Sequence, residues 1–420
     1  MRSLFSSLLL TAVLTQEQHH HAHHYDHHPS DQSSNGQYKV VTYFPEWAIY
    51  DQKFFVKDLP AKQLTHINYA FTKVSSSGEI QLSDPWAAMQ MPMEGGVKGN
   101  LGALILLKQQ NPGLKTLVSV GGWSDSDRFS DVALNDQTRQ KFARSAVAFV
   151  NEHQMDGIDI DWEYPVGGGM EKNHHRPEDG GNYVLLLKEL RAQLNALGQQ
   201  KGKQYLLTVA SPAGDDNFKT FKLGEMAKYL DWFNLMTYDY HGDWESQTNH
   251  QAALYANPED PSSQKNRYFI DYTVSHYISA GVPSQKIVLG TPLYCRGWKG
   301  VKNANNGLYQ HASGPASGTW DSGQFDYSDL LKRTKNQPDQ YKVHWDSAAQ
   351  VPYVYAPGVE GGMFATFENP QSITNKVNYI KGRKLGGMMF WDASNDVRNG
   401  NSGDSLTGTA FRALNTAAME

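Results

Sequence analysis

Three carboxylates occupy alternate positions in Asp156-Gly-Ile-Asp159-Ile-Asp161-Trp-Glu163, with Ile158, Ile160 and Trp162 between them. That spacing is the period of a β-strand, in which side chains two apart share a face. One face is then apolar, and the other carries Asp159, Asp161 and Glu163. Acids stacked this closely repel one another when ionised, so at least one pKa is expected to rise. A carboxyl that keeps its proton near neutral pH can serve as a general acid. Taken alone, the pattern also fits a strand with a solvated acidic face, or a calcium site.

The surrounding composition narrows these choices. The chain has 420 residues and a net charge of -5, which gives no sign of nucleic-acid or anionic-membrane binding. Arg2 followed by the apolar run Leu4 to Leu14 has the form of a secretory signal over residues 1–15, too short to span a bilayer. A secreted, extracellular protein is therefore expected. Cys295 is the single cysteine, so no intrachain disulfide can form and stability must come from a large core. It lies in an apolar stretch and reads as a buried small residue. Seven of the 16 histidines fall between His19 and His28. Residues 16–37 read as a disordered His-rich linker, with a metal-binding tail as the alternative. No metal or cofactor is expected in the core chemistry.

The elements that must position the acids follow from the hydropathy pattern. Strands are expected near Lys39–Tyr43, Leu64–Phe71, Leu114–Val120, Gly157–Glu163, Tyr205–Ala210, Trp232–Tyr238, Lys286–Gly290 and Gly387–Trp391. Several are continuous apolar runs, as in parallel strands covered by helices. Val184, Leu187, Leu190 and Leu194 predict a helix over Tyr183–Leu197, with Gly198 as its stop. Eight strands with intervening helices indicate an α/β fold, a (β/α)8 TIM barrel. An open doubly wound sheet is the alternative, but its Gly-rich phosphate loop is missing. The interval between the seventh and eighth strands is too long for one helix. It contains a helical piece (Tyr327–Lys335) and β-rich runs (Val351–Tyr355, Gly362–Phe367). Residues 299–368 are thus expected to form an inserted α+β subdomain walling the barrel mouth. Residues 38–298 and 369–420 would supply the barrel itself.

Reactive groups of such barrels gather at the C-terminal ends of the strands. The expected ends carry Ser119-Val-Gly121-Gly122-Trp123, Glu163, Met236-Thr-Tyr238-Asp239, Tyr294-Cys-Arg296 and Phe390-Trp391-Asp392. The acidic face of the fourth strand must point inward, because its apolar face meets helices. Trp47, Trp123, Trp244 and Trp391 all fall at or just past strand ends. Flat rings with carboxylates and an arginine nearby suit the faces and hydroxyls of sugars, although any one tryptophan could equally be core.

On these motifs the chain resembles glycoside hydrolase family 18, in its bacterial-type chitinase branch, over roughly residues 38–410. Asp156-x-x-Asp159-x-Asp161-x-Glu163 and Ser119-x-Gly121-Gly122 fit the two family signatures, and the insertion is similar to the family's chitinase insertion domain. The resemblance implies retaining hydrolysis in which the substrate's 2-acetamido group replaces a protein nucleophile. Glu163 would be the acid, Asp161 would orient the acetamide, Asp159 would share a proton with Asp161, and Tyr238 would bind the acetamide carbonyl. Asp239, Arg296, Met236 and Tyr294 would contact the flanking sugars. Trp391 would floor the site, Trp123 and Trp244 would line the leaving-group side, and Tyr43 and Phe71 would support the pocket. The implied partners are chitin or N-acetylglucosamine oligosaccharides bound by a monomer. An endo-β-N-acetylglucosaminidase acting on N-glycans and a chitin-binding lectin are the alternatives. Cys295, Tyr240-His241 and Phe367-Glu368 depart from the family pattern, with consequences expected for subsite affinity or packing.

Overall fold

The computed structural model describes residues 37–416. The expected signal, residues 1–15, and the His-rich segment up to Gly36 lie outside them. Eight strands form the centre: β1 (Lys39–Pro45), β2 (His66–Val74), β3 (Lys115–Gly121), β4 (Gly157–Asp161), β5 (Leu206–Pro212), β6 (Trp232–Met236), β7 (Ile287–Pro292) and β8 (Gly387–Trp391). Each pairs in parallel with the next, and β8 pairs with β1, so the sheet closes on itself. Helices such as Gly99–Gln110, Asp136–Glu152 and Asp179–Lys201 connect successive strands around the outside. This is the (β/α)8 barrel expected from the strand pattern.

Alternation along the strands sorts the side chains into two cores. Ile158, Ile160 and Trp162 are wholly buried in the layer between barrel and helices, with Phe129, Tyr183 and Leu187. Inside the barrel, Val41, Tyr43, Ala70, Phe71, Trp232, Val288 and Met389 form a second cluster, against which Tyr238 and Trp391 pack. The outer layer holds far more buried apolar side chains than the barrel interior, and each Å² of apolar area removed from water contributes about 25 cal/mol.

Several boundaries differ from the sequence expectation. The helix after β4 starts at Asp179 and runs through Gly198 to Lys201, ending at Gly202 with φ 67. Gly198 answers to a different constraint: a Cβ there would lie 2.4 Å from the Lys203 carbonyl oxygen. β4 and β6 stop at Asp161 and Met236, so Glu163 and Tyr238 stand just beyond the ladders rather than in them.

A second, antiparallel sheet lies between β7 and β8. Its strands include Tyr294–Lys299, Lys342–Asp346, Val351–Ala356 and Met363–Thr366, with the helix Tyr327–Asn336 alongside. It begins at Tyr294 rather than near residue 299, so Tyr294 and Arg296 belong to this sheet and not to β7. Trp298, Leu308, Tyr353, Tyr355 and Phe364 give it a small core of its own. The segment after β6 ties it to the barrel. Gln251 donates from Nε2 to the Tyr294 carbonyl (2.9 Å) and from its backbone N–H to Thr366 Oγ1 (3.1 Å). His250 Nε2 meets Asp346 at 2.8 Å. Lys376 pairs with Glu368 at 2.7 Å, with side chains 0% and 1% exposed, and also donates to the Ala252 carbonyl. The departure at Glu368 thus serves packing, as one half of a buried ion pair.

Removing one partner of such a pair strands the other charge in a dry site. Lys376→Met is expected to destabilise the protein by about 3–5 kcal/mol, whereas adding Glu368→Leu recovers most of the loss. Denaturant unfolding of the single and double variants measures both.

Candidate active site

Asp159 sits inside the barrel with no exposed surface. Tyr43 of β1 and Ser119 of β3 donate to its Oδ2 at 2.7 and 2.8 Å. Thr208 of β5 and Asn234 of β6 donate to its Oδ1 at 2.8 and 3.3 Å. Burial raises the pKa of this carboxyl, and these four donors offset only part of the rise.

One step toward the mouth, Asp161 is 4% exposed, and its Oδ1 is buried with no protein partner. Its carboxyl lies against that of Glu163, close enough for the two to share a proton. Burial drives Asp161 well above the usual carboxylate range, and the charges of Glu163 and Asp159 push the same way. Burial also lifts Glu163 to about 7, although its contact with Asp161 holds it down. Two buried carboxyls in contact cannot both ionise cheaply, so a proton is retained between them at neutral pH. The expectation that stacked acids would raise at least one pKa is met, with desolvation as the larger cause.

Above the acids lies an aromatic floor. The Trp391 ring stacks on Phe71 (centroids 5.6 Å apart, 20° between planes) and leans on Tyr43 (5.3 Å) and Trp47 (6.3 Å). Trp391 remains half-buried, leaving part of its surface to the cleft. Tyr238 is half-buried beside Tyr294, with centroids 6.1 Å apart. Burial, followed by the charges of Asp161, Asp239 and Glu163, raises its phenol well above the ordinary value, so it stays a proton donor.

A third group comes from the second sheet. Tyr294 donates from its hydroxyl to Asp239 Oδ1 at 2.6 Å, and Arg296 Nε donates to the same oxygen at 3.0 Å. Arg296 is buried and also reaches Asp243 at 3.4 Å. Its guanidinium lies 5.0 Å from the Trp244 ring centroid and 5.2 Å from that of Tyr294. Met236 closes β6 half-buried, opposite Pro212. Trp123 projects past β3 with its ring 6.4 Å from Tyr164. The site residues named so far therefore gather at the C-terminal ends of the strands or directly beneath them.

Asp156, the first acid of the motif, is elsewhere. It accepts from the Thr116 N–H (2.8 Å), Lys108 (2.7 Å) and Lys203 (2.6 Å) at the opposite end of β4, and joins strands to helices there. Conversely, sequence reading passed over Thr208, Asn234, Asp243, Tyr164, Ser126 and Asn173. The first two are polar residues at inward positions of β5 and β6, and the period-two pattern could have found them. The others stand in loops, where spacing carries no signal. His241 is buried and contacts Glu245 at 2.9 Å, so the Tyr240-His241 departure packs under the loop that carries Asp239 and Asp243.

Residues 39–396 match the sequence profile of the glycosyl hydrolases family 18. The chain is 38% identical to chitinase A1 of Niallia circulans, over 93% of this chain and 62% of that protein. It is 38% identical to chitinase 1 of Aphanocladium album, over 89% of this chain and 84% of that one. Among solved structures it is similar to a chitinase from Bacillus thuringiensis, with a TM-score of 0.84 and 37% identity over 90% of this chain and 70% of that one. The chain belongs to glycoside hydrolase family 18.

A raised carboxyl leaves a signature in stability. Glu163 keeps its proton up to about 7 in the folded protein, whereas the unfolded chain gives it up near 4.5. Stability from this group is full below 4.5 and is lost as pH rises toward 7. Relative to wild type, Glu163→Gln should therefore gain stability progressively between pH 4.5 and 7. Denaturant melts across that window measure the difference.

Proposed function

We propose that this family 18 enzyme is a chitinase, hydrolysing β-1,4 links between N-acetylglucosamine units with retention through the substrate's own acetamido group. The carrying observation is the contact between Asp161 and Glu163. A protein nucleophile facing a protein acid across a sugar needs about 5–5.5 Å between carboxyls, and an inverting pair needs about 6.5–9.5 Å. Two carboxyls in contact at the end of β4 leave no room for a ring between them. Asp239, the next acid, is held by Tyr294 and Arg296. The attacking atom is then supplied by the substrate.

Glu163 gives its proton to the glycosidic oxygen as the bond to the anomeric carbon breaks. The acetamide oxygen attacks that carbon from the opposite face and forms an oxazolinium ion. Once its proton has passed toward Asp159, Asp161 accepts the acetamide N–H, turns the group toward the carbon and balances the positive charge. Asp159 takes part in the sharing of the proton and supports Asp161 from below. Tyr238 donates to the acetamide carbonyl oxygen. Water then attacks the anomeric carbon, Glu163 takes its proton back, and the acetamide is released with the configuration retained. Trp391 underlies the reacting sugar, Trp123 and Trp244 face the leaving side, and Met236, Asp239, Tyr294 and Arg296 contact the flanking sugars. Tyr43 and Phe71 brace the pocket. The leader-like run behind Arg2 supports a secreted enzyme.

Three measurements test the reading. kcat/KM on N-acetylglucosamine oligomers should fall as pH rises through about 7, because only protonated Glu163 is active. Glu163→Gln should lower turnover by roughly 10²–10⁴-fold while oligomer binding persists. Disaccharide release from colloidal chitin by wild type alone supports the chitinase reading. Binding without hydrolysis by wild type would overturn it in favour of a lectin.

A further inference from the structure

Glu163 lies past the point where the sheet can place it. The pairing of β4 ends at Gly121↔Asp161 on one side and Ile160↔Val209 on the other. The ladder therefore holds neither the N–H nor the C=O of Glu163, although a general acid must be placed to within a fraction of an ångström. Two side chains do this work instead. The Glu163 N–H donates to Ser126 Oγ at 2.9 Å, and Asn173 Nδ2 donates to the Glu163 carbonyl at 2.9 Å.

Ser126 is wholly buried in the loop that follows β3. Its hydroxyl proton goes to the Gly122 carbonyl at 2.7 Å, and Oγ also lies 3.1 Å from the Asp161 carbonyl. The Gly122 N–H donates to that same Asp161 carbonyl at 2.9 Å. One small hydroxyl thus accepts from the acid's backbone while donating to the turn that carries Trp123. Only a group that is donor and acceptor at once can fill this position. On the far side, Asn173 is held in a loop pinned by Asp179, which is wholly buried and accepts from the Val166 and Arg176 N–H groups and from Ser130 Oγ. Packing is tight here as well: a Cβ at Gly169 would lie 2.1 Å from the Glu163 carbonyl oxygen.

We propose that Ser126 is a positioning residue for Glu163, with Asn173 as its counterpart, so that the main chain of the acid is clamped between the loops after β3 and β4. The inference rests on Glu163 being the acid. It adds that the acid's reach to the leaving oxygen is set by two side chains that never touch substrate. Because Trp123 shares the Ser126 loop, a sugar seated on the leaving side bears on the placement of the acid.

Misplacing an acid hurts most when the leaving group needs its proton. The test therefore compares the N-acetylglucosamine tetramer with a 4-nitrophenyl disaccharide, whose phenolate departs with little assistance. Ser126→Ala should lose roughly tenfold or more in kcat on the tetramer, but under about threefold on the nitrophenyl substrate. KM should be little changed, the alkaline limb of the pH profile should move, and Ser126→Thr should recover most of the rate. Asn173→Ala should repeat the pattern, and it becomes the primary variant if Ser126→Ala melts before assay temperature. Equal losses on both substrates, or no loss, in the folded variants would overturn the proposal. Glu163→Gln runs in parallel. If it keeps its tetramer rate, the acid assignment itself fails. If it shows the leaving-group dependence and the Ser126 and Asn173 variants do not, only the clamp fails.

Discussion

A carboxylate enclosed at the centre of a barrel is a costly thing to build, and Asp159 is built there with four donors. Tyr43, Ser119, Thr208 and Asn234 come from four different strands. Without them the charge would be expelled or neutralised, since an isolated buried carboxylate costs many kcal/mol. With them, the group ties β1, β3, β5 and β6 to β4 at one level of the barrel. A one-residue slip of β4 would turn Asp159 into the apolar outer layer and bring Ile158 or Ile160 inside. The burial that makes the acid expensive thus also locks the register on which the rest of the site depends.

From that level upward, the site is a gradient of constraint. Asp159 is held by strands. Asp161 keeps one oxygen without a protein partner, as befits a group that must meet something else. Glu163 is past the ladder and is placed by loop side chains. The same order runs through the aromatics, from Tyr43 enclosed at 1% exposure to Trp391 stacked on Phe71 and half-buried. Rigid below and open above is the arrangement that lets a buried base set charge states while the mouth stays accessible.

The second sheet supplies what β7 cannot. Arg296 is buried between Asp239, Asp243 and the rings of Trp244 and Tyr294, so two carboxylates balance its charge and two aromatic rings flank it. Its sheet is fixed to the barrel by His250–Asp346 and by Lys376–Glu368. Both contacts are buried, and salt screens the Lys376–Glu368 pair far less than it would a surface pair. The wall of the cleft is therefore a firm part of the same body as the acids beneath it.

Much of this was legible in the chain itself. Period-two alternation placed Asp159, Asp161 and Glu163 on one face and Ile158, Ile160 and Trp162 on the other, because strand geometry leaves no alternative. The apolar runs gave eight strands, and the overlong interval before Gly387 gave the insertion. Spacing along the chain could not reveal that Asp156 faces away from the site, that Tyr294 and Arg296 leave β7 for another sheet, or that Glu368 needs Lys376. Nor could it find Ser126 or Asn173, whose partner is a backbone group far along the chain. Local periodicity is a property of neighbours in sequence, so the sequence alone determined the strands, their faces and the chemistry they carry. Which oxygen meets which donor, and therefore which acid keeps its proton, depends on atoms brought together from distant strands and loops, and only the closed barrel decided it.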